Sequence, residues 1–225
     1  LARTFRVGMF ERLSSYMRSL SAGDRTIATA LAVLVIFAGL LSIYGLEQHF
    51  LVTEPAYGGV LREGDVGAPR FVNPLLALSD SDRDLTALTY AGLMGEAGKG
   101  NLVPVLATSY TVSPDGKTYT LTLRADAKFS DGTPVTADDV VYTVEKAQDP
   151  ALKSPEYANW SGVAVQAVDA RTVEFTLTKA FAPFLAHLTL GILPSHLWKS
   201  VPDDDFTFSP MNTNPVGPGP FRSEE

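Results

Sequence analysis

The side chains able to do covalent or metal chemistry are few in this sequence, and their spacing points away from catalysis. Three histidines, His49, His187 and His196, lie far apart and show no metal-ligand spacing. Cysteine is absent, which removes disulfides, thiolate nucleophiles and Cys-type zinc sites together. Asp138 and Asp139 are adjacent carboxylates, but Thr136-Ala137-Asp138-Asp139 resembles a capping box, where acids serve a helix N-terminus rather than proton transfer. Asp203-Asp204-Asp205 lacks the spaced oxygen ligands of a calcium loop and reads as a solvated acidic run. The sequence contains no Gly-x-Ser-x-Gly elbow, no phosphate-cradling glycine loop with lysine and no His-Glu-x-x-His. The expectation is a protein that is not an enzyme, with no catalytic residues, no metal and no cofactor.

The elements around these residues are spelled most clearly in residues 113–143. Pro114-Asp115-Gly116 signals a turn, because proline presets φ and glycine accepts φ > 0. Tyr119, Leu121 and Leu123 alternate with Thr118, Thr120 and Thr122, the period of a half-buried strand. Asp131-Gly132 makes a second tight turn beside Phe129, and a helix follows the capping box through Val140, Val141 and Val144 to about Lys146. Upstream, a helix is expected from Asp80 to Glu96, with Leu85, Leu88, Ala91 and Leu93 on its apolar face, Asp80 or Ser81 as cap, and Gly98 and Gly100 as its stop. Downstream, residues 163–168 and 172–177 read as two strands, the second placing Val173, Phe175 and Leu177 on one face. An apolar helix is expected from about Pro183 to Leu190. The sequence shows no internal repeat and no low-complexity tract.

These landmarks carry a resemblance. Asp115-Gly116, Tyr119-Thr120-Leu121, Leu123-Arg124, Lys128-Phe129, Asp131-Gly132, Pro134, Thr136-Ala137 and Asp139-Val140 stand in the order typical of the extracytoplasmic solute-binding proteins that serve ABC importers of peptides, dipeptides and nickel, family 5. Gly58-Gly59, Asn73-Pro74, Leu102 through Ala107 and Leu193-Pro194-Ser195-His196-Leu197 match further points of the pattern. Residues 214–221 resemble its "NPVGTGPY" signature, with Pro218 where threonine is usual and Phe221 where tyrosine is common. The resemblance runs from about Gly58 to Phe221. It implies a mixed α/β fold, the N-terminal part of a two-lobed periplasmic-binding-protein-like architecture, and a hinged trap around a ligand.

The N-terminal region implies a membrane. Residues 26–46 are 21 residues without a charge, enough for a helix of about 30 Å, the thickness of a bilayer's hydrocarbon. Arg18 and Arg25 precede this run and Glu47 and Glu54 follow it, so the positive-inside rule places the N-terminus in the cytoplasm and the body outside. A cleavable signal peptide has a shorter apolar core and a small-residue cleavage site; the reading favoured here is an uncleaved, single-pass signal anchor. Residues 1–25 carry five arginines against Glu11 and Asp24, a charge of +3, which leaves −10 of the total −7 on the remainder. Their apolar residues recur every three to four positions, as in an amphipathic helix on the inner membrane face, and a loosely ordered cytoplasmic tail fits equally. The acidic body argues against a nucleic-acid partner. The expected organisation is a cytoplasmic basic segment (1–25), an anchor (26–46), a tether (47–57) and the N-terminal portion of a solute-binding domain (58–225).

The resemblance also implies candidate ligand contacts. In peptide-binding relatives a Pro-Tyr-containing loop after the central helix reaches the cleft, and Ser154-Pro155-Glu156-Tyr157 matches it with Glu156 inserted. Tyr157, offering an apolar ring and one hydroxyl, is the first candidate. Asn159 and Trp160 follow, and Ser79 and Asp80 of the polar loop at residues 78–81 form a third region. The expected partners are a peptide or other small solute, the permease subunits of an ABC transporter, and the lipid bilayer. The second lobe, and the acidic residue that pairs with the peptide amino group in some members, correspond to sequence beyond Glu225. The chain is therefore expected to be the front half of such a receptor, as a fragment or as a truncated product. A membrane-tethered interaction module without ligand binding of its own is the alternative.

Overall fold

A computed structural model describes residues 21–50 (side chains to residue 45), 64, 67–98 and 100–223. The chain divides into two compact units, Leu1–Arg62 and Glu63–Glu225. Residues 1–20 of the expected amphipathic segment (1–25) and the first strand at Gly58-Gly59 lie outside the described residues.

In the first unit, α1 (Ala22–Phe50) runs through the uncharged stretch and continues into the first residues assigned to the tether. Its apolar side chains, among them Ile36 and Leu40, are exposed all round. The residues 22–45 are long and apolar enough to cross a membrane, a property that signal sequences share. The hydroxyls of Thr26 and Thr29 donate back to the Gly23 and Arg25 carbonyls at 2.7 and 2.9 Å, so these polar groups need no water.

The second unit is built on a four-stranded antiparallel sheet in the order β3-β4-β6-β5, from β3 (Ala107–Val112), β4 (Thr118–Leu123), β5 (Val163–Asp169) and β6 (Thr172–Leu177). A separate hairpin joins β1 (Met94–Glu96) to β2 (Leu102–Pro104). The alternation read from the sequence holds in the central strands. Tyr119, Leu121 and Leu123 are buried together with Val173, Phe175 and Leu177, and the register pairs Tyr119 with Phe175 and Leu121 with Val173. Gly116 sits at φ 69°, the left-handed geometry that closes the β3–β4 turn.

Helix α3 (Ala137–Ala147) covers this face with Val140, Val144 and Ala147. The capping box forms as read: the Asp139 carboxylate accepts from the Thr136 amide and hydroxyl, both at 2.8 Å. Its other oxygen accepts from the buried Ser195 amide at 2.8 Å, tying α3 to α6 (Ser195–Trp198). In the same core, Trp160 of α4 (Tyr157–Trp160), Phe175 and Phe184 of α5 (Phe184–His187) meet at centroid separations of 5.7–5.9 Å.

Two elements depart from expectation. Helix α2 spans Asp80–Thr89 and stops seven residues short, and Ser79 caps it instead of Asp80 or Ser81. After Thr89 the chain must pass beside residues 188–192, where Met94 and Ile192 donate to the Leu188 and Ala91 carbonyls at 3.0 Å. A Cβ at Gly92 would lie 2.6 Å from the Thr189 backbone, so this crossing, absent from local propensity, ends the helix. Leu88, expected on the apolar face, is 44% exposed. The helix expected at about Pro183–Leu190 is the single turn α5, because the chain turns again to pass this same crossing.

Candidate functional site

Three segments of the second unit enclose a groove of about 460 Å³, within the range of small-molecule sites. The first wall is α2. Arg83, Thr86 and Ala87, three and four residues apart, line the groove from one helical face, and Tyr90, the extended residue that follows the helix, continues the wall. Ser79 and Asp82 fix the start of that helix reciprocally: Ser79 Oγ accepts from the Asp82 amide at 3.1 Å, and Asp82 accepts from the Ser79 amide at 3.2 Å. Asp82 also accepts from the Arg70 and Phe71 amides at 2.7 and 3.0 Å. Burial alone would raise the Asp82 pKa; the Phe71 and Arg70 amides, with Ser79, overcome it and hold the carboxyl at about 2.

The second wall is the start of α4. Ser154 Oγ donates to the Leu75 carbonyl at 2.7 Å and accepts from the Glu156 amide at 3.2 Å, a buried latch behind the loop. Lys153, just before it, takes φ 52°, an uncommon value for a residue with a side chain. Asn159 Nδ2 donates to Glu156 Oε2 at 2.9 Å, so the two polar groups lining this wall are oriented by one another. The latch is anchored further in: Asn73 Nδ2 donates to Asn212 Oδ1, and the Leu75 amide donates to Asn73 Oδ1, each at 2.9 Å. This buried pair holds Pro74 at the groove.

The third wall is the run from Ala186 to Gly191. A Cβ at Gly191 would stand 2.7 Å from Tyr90 Cβ and 3.3 Å from Pro74 Cβ, so glycine lets this run close against the other segments. His187 packs its ring against Phe181 and Phe184, at centroid distances of 5.6 and 6.1 Å.

Thr86 Oγ1, Tyr90 Oη and His187 Nδ1 are all buried with no hydrogen-bond partner among the described residues. Each such group costs roughly 1–3 kcal/mol if left unmet, and these three atoms are enclosed behind the surface of the groove. Tyr90 is only 4% exposed, and burial pushes its phenol far above the usual range, so it stays a protonated donor. Arg83 and Glu156 add one charge of each sign.

Of the sequence candidates, Asn159 lines this groove and also a neighbouring depression of about 370 Å³. Tyr157 is 39% exposed and adjoins Glu156, but does not line the groove. Trp160 is placed elsewhere: it lies in the core at 2% exposure, among Phe175, Phe184 and His187. Ser79 is the α2 cap, and Asp80 is exposed beside Arg83 at 3.5 Å. Sequence reasoning missed Arg83, Thr86, Tyr90, Glu156 and His187. A stripe at 83, 86 and 87 was readable as one face, but nothing local showed that the face meets residues a hundred positions on. Among the described residues no three His, Asp or Glu side chains cluster as metal ligands.

Residues 101–225 match the family model described as "Bacterial extracellular solute-binding proteins, family 5 Middle". The chain is 34% identical over 171 residues to the "Probable D,D-dipeptide-binding periplasmic protein DdpA" of Escherichia coli (strain K12), covering 70% of this chain and 32% of that protein. It is 40% identical over 138 residues to the "Glutathione-binding protein GsiB" of Escherichia coli O157:H7, covering 59% of this chain and 26% of that protein. Among solved structures, the oligopeptide-binding protein AppA from Bacillus subtilis in complex with a nonapeptide superposes with a TM-score of 0.66 at 28% identity, covering 72% of this chain and 33% of that one. NikZ from Campylobacter jejuni in complex with Ni(L-His) gives 0.63 at 31% identity, covering 69% and 31%. The chain thus spans about a third of the length of these proteins or less.

Proposed function

The chain belongs to the bacterial extracellular solute-binding proteins of family 5, and from that premise we propose that it is the N-terminal portion of a receptor that captures oligopeptides or similar small solutes for an ABC importer. The observation that carries this reading is the groove between α2, the start of α4 and the Ala186–Gly191 run, with Arg83, Glu156 and Asn159 among its lining side chains. A solute seated there finds its hydrogen bonds in the polar side chains of the walls, Arg83, Glu156 and Asn159. The opposing wall comes from the part of the protein that corresponds to the remaining length of its relatives, and closure of that part over the groove traps the solute. Binding is reversible and non-covalent, no cofactor takes part, and the permease subunits receive the solute. Asn159 touches ligand directly and Tyr157 does so from the adjoining turn. The related DdpA and GsiB, whose names specify a dipeptide and glutathione, support a short peptide as the solute class.

Residues 26–46 anchor this body as a single-pass helix, with residues 1–25 in the cytoplasm, residues 47–57 as tether and residues 58–225 outside. The self-satisfied threonine hydroxyls and all-round apolar surface of α1 support the anchor. Calorimetry on the intact protein with short peptides, a nickel–histidine chelate and sugars tests the solute: binding of the chelate or a sugar without any peptide refutes the peptide assignment. Carbonate-washed membranes retain an anchored protein, whereas release to the supernatant refutes the uncleaved helix.

A further inference from the structure

The depression of about 370 Å³ beside the groove shares Asn159 and His187 with it, so these two side chains form a common rim. One of its walls is held from behind. Gln148 Nε2 donates to the Trp160 and Val163 carbonyls at 2.8 and 2.6 Å, and Gly162 between them turns the chain at φ 81°. Phe181 lines the same depression and is 44% exposed. Its backbone is nonetheless fixed, because its carbonyl accepts from the Phe184 amide at 3.0 Å and from the Tyr119 hydroxyl at 3.4 Å. The neighbouring rings of Tyr119, Trp160, Phe175 and Phe184 are all buried. His187 links them outward, its ring centroid 6.4 Å from Trp160 and 5.6 Å from Phe181. The chain of ring contacts thus ends at the half-covered Phe181, next to the groove.

We propose that this depression is a side-chain subsite: the solute's main chain lies in the groove, and an aromatic side chain crosses the Asn159–His187 rim to pack on Phe181. This rests on the receptor reading and adds the class of solute, a short peptide that carries an aromatic group. An incoming ring covers the exposed part of Phe181 and removes apolar surface from water on both partners. Tilted or offset contact between two rings gains further from their quadrupoles, which an aliphatic side chain lacks. Asn159 spends an N–H on Glu156 and keeps its amide oxygen for the peptide group that bears the side chain.

The test is calorimetry on the intact protein with trialanine, the tripeptides that carry one phenylalanine at each position in turn, and their leucine counterparts. One phenylalanine peptide binds roughly tenfold tighter than trialanine and clearly tighter than its leucine counterpart. Phe181→Leu, which keeps an apolar side chain of similar bulk, and Phe181→Ala both abolish the preference for phenylalanine over leucine. In the native protein, nuclear Overhauser contacts join the bound peptide's phenyl protons to the Phe181 ring, a readout that needs no variant. Equal binding of the phenylalanine and leucine peptides, a preference that survives both substitutions, or a bound phenyl group without contact to Phe181 overturns the subsite and leaves the receptor reading standing. Failure of the native protein to bind any of these peptides overturns the peptide reading together with the subsite.

Discussion

Replacing Asp82 with asparagine removes one negative charge and turns one of its two acceptor oxygens into a donor, at a point where three backbone amides converge. The carboxylate accepts from the Arg70, Phe71 and Ser79 amides at 2.7, 3.0 and 3.2 Å, so it organises the approach to α2 as well as its first turn. Its pKa falls from 3.8 to about 2 in the folded protein. That drop of nearly 2, at 1.36 kcal/mol for each unit, corresponds to about 2 kcal/mol of stability. Because the folded-state pKa is depressed, this contribution is fully present above pH 3.8 and is lost as the pH falls through about 2. Asp82→Asn is therefore expected to unfold about 2 kcal/mol more easily at pH 7, and the gap to wild type closes as the pH approaches 2. Urea denaturation followed by tryptophan fluorescence reads this directly, since Trp160 and Trp198 are both buried in the second unit. A gap of the same size at pH 7 and pH 2 would refute the charge-based account, as would one below about 0.5 kcal/mol at neutral pH. Arg83 and Thr86 of the groove wall stand on the same helix, so the variant also binds solute more weakly.

Three further substitutions separate the roles of individual residues. Ser154→Ala breaks the buried bond to the Leu75 carbonyl and releases the Glu156 amide; it costs about 1–3 kcal/mol, and hydrogen exchange at Glu156 speeds up relative to the sheet amides. Gly191→Ala forces a methyl to within 2.7 Å of Tyr90 Cβ; it destabilises by about 1–3 kcal/mol and abolishes solute binding, and a well-folded variant with native affinity contradicts the three-wall groove. Trp160→Ala empties the centre of the aromatic cluster and costs about 3–5 kcal/mol of unfolding free energy, whereas loss of affinity at unchanged stability would return Trp160 to the ligand.

The site was legible only in pieces. Asn159 was identified from its loop, and it does line the groove. Trp160, one residue on, was read as an exposed loop aromatic and is instead in the core. One helical turn swings these neighbours to different faces, and which face meets the sheet depends on Phe175 and Phe184. The Ser79 hydroxyl, taken as a ligand contact, is already spent on the α2 N-terminus.

What the sequence determined by itself is whatever depends on residues within a few positions of each other. The glycine turn at Gly116, the alternation that buries Leu121 and Val173, the Thr136–Asp139 capping box and the apolar length of α1 are all of this kind. Each is governed by local dihedral preference, strand period or a hydrogen bond spanning three residues. The tertiary structure alone decided where α2 ends, that Asp139 also holds Ser195, and that residues 83–90, 154–159 and 186–191 form one groove. These depend on close approaches between segments more than a hundred residues apart, such as Gly191 against Tyr90 and Pro74. Packing of that range leaves no period and no short motif in the chain, because its partners are chosen by the fold.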